Sequence, residues 1–95
     1  MFWCKTFSAK EQFVVAICDK DLIGKEIGNE LKITVKESFY RGEVVDEKKA
    51  LELMEKANIC NLLGKKIVDL ALKNKFITKE NIIFISDVPH AQFIQ

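Results

Sequence analysis

Proline and histidine are almost missing from this chain of 95 residues, and the single copy of each falls in one stretch, Asp87-Val88-Pro89-His90-Ala91-Gln92. Any chemistry that needs an imidazole must therefore pass through that tail. Cysteine is sparse as well. Three cysteines, an odd number with no two closer than fourteen residues, argue against a secreted disulfide scaffold and against a disulfide-linked partner. No apolar run approaches the ~20 residues of a membrane span, so no membrane association is expected. The start, Met1-Phe2-Trp3-Cys4, lacks the basic segment and small-residue cleavage site of a signal peptide. A cytoplasmic protein is the economical reading.

An excess of one charge is missing too. Fifteen basic against fourteen acidic residues leave a net charge of +1, so no general field draws the chain to nucleic acid. The balance is uneven: residues 1–60 hold ten basic and eleven acidic side chains, residues 61–95 five and three. What is present is an ordinary globular composition, 48% hydrophobic and 31% charged, enough for one domain over residues 1–95 with a modest core.

The runs Trp3–Phe7 and Phe13–Cys18 are rich in aromatic and β-branched residues and read as strands, joined by a hairpin at Ala9-Lys10-Glu11. The second run is apolar almost throughout, as in a central strand covered on both faces. A polar connection with Gly24, Gly28 and Asn29 follows, then the alternation Leu31, Ile33, Val35 against Lys32, Thr34, Lys36 of a half-exposed strand. Ser38 to Gly42 reads as a turn. Asp46 suits a helix N-cap, and Ala50, Leu53, Met54 and Ala57 recur at helical spacing. A second helix is expected to start at Asn58 as its cap, to bury Leu63, Ile67, Leu70 and Ala71, and to end at Asn74. Ile82–Ile85 reads as the last strand, and the tail as a rigid turn leaving it. The expected fold is α+β: a small two-layer domain with a mostly antiparallel sheet of about four strands and two helices packed on one face.

Candidate chemistry is thin. Leu62-Leu63-Gly64-Lys65-Lys66 resembles a phosphate loop but lacks the earlier glycine and the Ser or Thr after the lysine, so a nucleoside triphosphate site is rejected. Cys4, Cys18, Cys60 and His90 have the types but not the close pairing of zinc ligands; core cysteines are the preferred reading, with no metal and no cofactor. If Asn58 caps a helix, Cys60 lies in its first turn, where the dipole lowers a thiol pKa; His90 as base and Asp87 as its orienting acid would complete a nucleophilic site. A half-buried cysteine and a surface histidine are the preferred reading. Tyr40-Arg41 suits stacking on an unpaired base, or a tyrosine that caps the core. His90 and Gln92 suit hydrogen bonding to base edges, and Lys65 and Lys66 at a helix start suit phosphate.

The runs Glu37-Ser38-Phe39-Tyr40-Arg41-Gly42-Glu43, Asn58-Ile59-Cys60-Asn61-Leu62-Leu63-Gly64 and Val88-Pro89-His90-Ala91-Gln92 together resemble a small archaeal family, the domain of unknown function numbered four-twenty-four. The resemblance covers nearly the whole chain in the same order. It implies a stand-alone α+β domain, and it implies no activity, cofactor or catalytic residue. Phe39, Tyr40, Gly42, Asn58, Asn61, Gly64, Pro89, His90 and Gln92 match its motifs without an assigned role. In style its members are similar to small archaeal information-processing proteins.

The reading that follows is a non-enzymatic binding module for RNA or a ribonucleoprotein, with Tyr40, Arg41, Asn58, Asn61, Lys65, Lys66, His90 and Gln92 as contact residues. One alternative is a small cysteine-dependent enzyme with Cys60 as nucleophile and His90 as base. The other is a protein-interaction subunit that docks through Phe93 and Ile94 of its tail or through an exposed sheet edge.

Overall fold

In the computed structural model, residues 1–23, 26–27, 33–34 and 37–95 are described. The class is the expected α+β, but the sheet is larger and mixed. Six strands lie in one sheet: β1 (Phe2–Ala9), β2 (Gln12–Asp19), β5 (Glu43–Val45), β6 (Ile59–Leu63), β7 (Ile82–Ile85) and β8 (Val88–Ile94). The spatial order is β5-β1-β2-β6-β8-β7. β2 and β6 run parallel; the other neighbours are antiparallel. A separate pair is formed by β3 (Glu26–Ile27) and β4 (Ile33–Thr34). Of the alternating strand expected over 31–36, only Ile33–Thr34 is described; Leu31, Lys32, Val35 and Lys36 lie outside the described residues, as do Gly24, Gly28 and Asn29.

The first hairpin forms where expected. Its two-residue loop, Lys10-Glu11, has φ of 46° and 68°, the left-handed geometry that matches strand twist and normally selects Asn-Gly. β2 is central, and its last five residues are buried. Instead of a simple turn, residues 37–40 form a short helix, α1 (Glu37–Tyr40). Gly42 follows it because a side chain there would strike the Cys4 carbonyl. Helix α2 (Glu47–Lys56) is capped by Asp46, whose Oδ1 accepts the Lys49 amide at 2.8 Å, and it buries Ala50, Leu53 and Met54. Helix α3 (Lys65–Lys73) buries Ile67, Val68 and Ala71, with Leu70 half-buried, and ends at Asn74 as expected. Both helices pack on the same side of the sheet, around Val15, Ile17, Cys60, Leu62, Ala91 and Phe93. Among the described residues, no helix is long and apolar enough to cross a membrane.

Two expectations fail, for related reasons. Asn58 caps no helix. Its Oδ1 accepts the Phe13 amide at 2.7 Å, and the chain then enters β6 between Val14–Cys18 and His90–Ile94. A five-residue apolar run satisfies helix and strand patterns alike, and pairing on both sides decides it. The tail is likewise no turn. The turn is Ser86-Asp87, and Val88–Ile94 is the strand between β6 and β7. Pro89 is tolerated in this interior strand because it stands opposite Gly64, where β6 ends. The Pro89 carbonyl accepts the Gly64 amide at 2.9 Å. With no proline N–H to answer, the Gly64 carbonyl instead accepts Val68 N at 3.1 Å and starts α3.

Candidate nucleic-acid interface

Helices α2 and α3 cover one side of the sheet; the other carries α1, whose Tyr40 packs on Ala16, Cys18 and Leu63, and the register defines its rows. Side chains in register share a face, so three rows cross the strands on that side. One row is Phe7, Val14, Ile59, Ile94; the next is Lys5, Ala16, Asn61, Gln92; the third is Trp3, Cys18, Leu63, His90, Ile83. A polar row thus lies between two largely apolar ones. At a strand spacing of ~4.8 Å, Lys5 and Gln92 are about 14 Å apart.

The β1 end of this face is an aromatic cluster threaded with cations. Tyr40 is buried on Ala16, Cys18 and Leu63. Its hydroxyl is pushed up to about 12 by burial, so it remains a neutral phenol. Phe39 meets Tyr40 edge-on, with centroids 4.9 Å apart, and stacks on Phe7 at 5.7 Å. The Lys5 ammonium lies 5.5 Å from the Phe7 centroid and the Arg41 guanidinium 5.2 Å from that of Trp3. Trp3 and Phe7 are half-buried and Phe39 is exposed. The arrangement holds aromatic surface and positive charge together at the rim of the sheet.

At the other end stand Asn61, Gln92 and His90. Gln92 is exposed, Asn61 and His90 half-exposed. Burial holds the His90 pKa below its ordinary value, so at neutral pH the imidazole is neutral, with one donor and one acceptor. Two amides and a neutral imidazole are groups that pair with base edges.

The remaining sequence candidates are scattered. Asn58 is a structural tie: besides its bond to Phe13 N, its amide reaches Phe13 O and its carbonyl accepts Gln95 N, both at 2.8 Å. Cys60 lies inside β6, fully buried on the helix side, and burial pushes its thiol up to about 12. His90 projects from the opposite side, three register positions away, where it pairs with Leu63. The dipole-activated thiol pictured from sequence therefore has no helix terminus to act on it. Cys4 and Cys60 belong to the helix side and Cys18 to the other, so the sheet itself separates the four residues weighed as zinc ligands.

Lys65 and Lys66 do open a helix, but its amides are taken. Asp19, at the end of β2 and only 5% exposed, accepts Lys66 N and Ile67 N, each at 2.9 Å. Burial raises the Asp19 pKa, and these two amides oppose the rise. Gly64, at φ 120°, is required here, since a Cβ would come within 2.3 Å of the Asp19 Cγ. Asp87 joins Asp19, Asp21, Lys65 and Lys66 around an open cleft of about 260 Å³. The carboxylate occupies the position a phosphate would take. Sequence reasoning missed Asp19, although an acid directly after the apolar run Phe13–Cys18 was the available signal. It missed the cluster partners as well, although Trp3, Lys5 and Phe7 alternate along one strand face.

Six strands in a mixed sheet, with α2 and α3 on one side and α1 beside a polar row on the other, define a small α+β domain of the kind other proteins share. The chain belongs to DUF424, a family of proteins of unknown function, whose pattern it matches over residues 7–95. It is similar in fold to the crystal structure of an uncharacterized conserved protein from Methanopyrus kandleri, with a TM-score of 0.81 at 22% identity over 97% of this chain and 89% of that one. No curated protein matches it.

Proposed function

We propose that this protein is a non-enzymatic module that binds single-stranded RNA, alone or in a ribonucleoprotein, across the side of its sheet opposite α2 and α3. The observation that carries the reading is the joining, on one face, of the Trp3–Phe7–Phe39 cluster, seated on the buried Tyr40, with Lys5 and Arg41, to the row that holds Asn61 and Gln92 beside His90. Unpaired bases stack on aromatic and guanidinium planes, and their edges pair with amides and imidazole. Duplex RNA buries those edges and is the poorer ligand. The low net charge fits a site that draws its affinity from stacking more than from counterion release.

Fluorescence anisotropy with mixed-sequence single-stranded RNA tests the proposal. Counting Lys5 and Arg41, the cations at the face among the described residues, the slope of log K against log salt should be shallow, about −1.4 at ~0.7 per phosphate on single strands. Arg41→Ala and Gln92→Ala should each weaken binding, the latter without altering the melting temperature. No salt-sensitive binding at tens of micromolar RNA, or binding unaffected by both substitutions, would sink the reading.

A further inference from the structure

Three of the five large apolar side chains exposed among the described residues lie on the last two strands: Ile83 at 59%, Phe84 at 66% and Ile94 at 75%. Two of them belong to β7, Ile82-Ile83-Phe84-Ile85, an edge strand with no charged residue of its own. Exposed edges are ordinarily blunted by lysine, proline or a bulge, as a guard against strand addition. The opposite edge, β5, is shorter and begins with Glu43.

We propose that β7 pairs antiparallel with β7 of a second copy of this chain, making one continuous sheet across a twofold axis. The charges that flank the strand choose the occupant. Lys79, beside Glu80, precedes β7 and Asp87 follows it, all exposed, so a reversed second copy can set Lys79 against Asp87 at each end of the seam. Directly paired residues must share a face of the sheet, so the axis passes through a residue and not between two. An axis at Ile83 sets Ile83 against Ile83 and Ile82 against Phe84, and it brings each Lys79 toward Asp87 of the other copy. An axis at Phe84 would bring Asn81 toward Asp87 and leave Lys79 without a partner across the seam. With the axis at Ile83, the exposed Glu80 falls one position further in, toward Ser86 of the other copy.

The contact is closed and isologous, so it ends at a dimer. It involves few residues, well below the ~1,200 Å² of stable interfaces, and the dimer is therefore reversible. An axis perpendicular to the sheet also leaves both Ile83 and His90 rows on the same side. The interaction does not depend on RNA and is measured without it.

Sedimentation velocity of the full chain, from about 5 to about 500 μM, reads the equilibrium across the range where so small an interface associates. The weight-average coefficient should rise from monomer toward dimer. Phe84→Lys, at an exposed site, should hold it at the monomer value. Lys79→Asp and Asp87→Lys should each weaken association about fivefold, and the double reversal should restore it, because it rebuilds both pairs with their signs exchanged. A coefficient independent of concentration overturns the proposal. So does a double reversal no better than either single change, which also decides the matter if Phe84→Lys unfolds.

Discussion

Replacing Asp19 by alanine tests how the two halves of the fold are joined. The carboxylate is buried and is the acceptor for the first free amides of α3, Lys66 N and Ile67 N, both at 2.9 Å. Each of the two helix-start amides left without its acceptor costs ~1–1.5 kcal/mol, so a loss of about 2–3 kcal/mol is expected. Urea unfolding at 25 °C should place the midpoint about 2–3 M lower, at a slope of ~1 kcal/mol/M for a small domain. The pH dependence follows from burial, which raises the Asp19 pKa against the opposing amides. A raised carboxyl pKa gives stability that is complete below the unfolded value and declines as pH rises through the folded one. The deficit of Asp19→Ala should therefore be larger near pH 4 than at pH 7. The vacated amides also lie beside Lys65 and Lys66, so the variant should gain what the native protein lacks, a sulfate site. At a sulfate concentration ten times Kd, the gain is about 1.4 kcal/mol beyond the general salting effect seen in the native protein. A deficit below ~0.5 kcal/mol, or equal sulfate responses in both proteins, would refute the reasoning.

Lys10 and Glu11 hold positive φ without glycine, so the pair Lys10→Asn and Glu11→Gly should raise stability by ~1 kcal/mol in the same unfolding assay; a decrease would mean the loop geometry is wrong. His90 has a depressed pKa, so the folded state favours the neutral ring; stability should decline as pH falls below about 6.5, and His90→Gln should flatten that decline. Cys18 and Cys60 are pushed up to about 12, against an ordinary 9.0, so at pH 8 their thiolate population is about a thousandfold lower. Thiol labelling of the native protein should then proceed only at the rate of unfolding, and a cysteine labelled much faster would mark a reactive site.

Much of the fold was legible because local chemistry and tertiary demand agreed. The apolar run Phe13–Cys18 is a central strand, Asp46 caps α2 with a 2.8 Å bond, and Asn74 ends α3. The short segments were not legible. Ile59–Leu63 is apolar enough for either periodicity, and it becomes a strand only because β2 and β8 arrive on its two sides. Pro89 reads locally as a breaker, yet it sits inside β8 because Gly64 opposite needs no donor from it.

The candidate site divides along the same line. Sequence alone determined the inventory: Tyr40 beside Arg41, the amides, one imidazole, and a charge balance that excludes a strongly electrostatic binder. It also determined that few groups were suited to catalysis. Only the tertiary structure decided which of these residues meet. It set Asn61 against Gln92, put Cys60 and His90 on opposite sides of the sheet, and filled the start of α3 with Asp19. The physical reason is that strand partners are chosen by burial and hydrogen bonding across the whole chain. Asp19 reaches Lys66 over 47 residues, and Phe13 reaches Asn58 over 45. Local patterning holds no record of either distance.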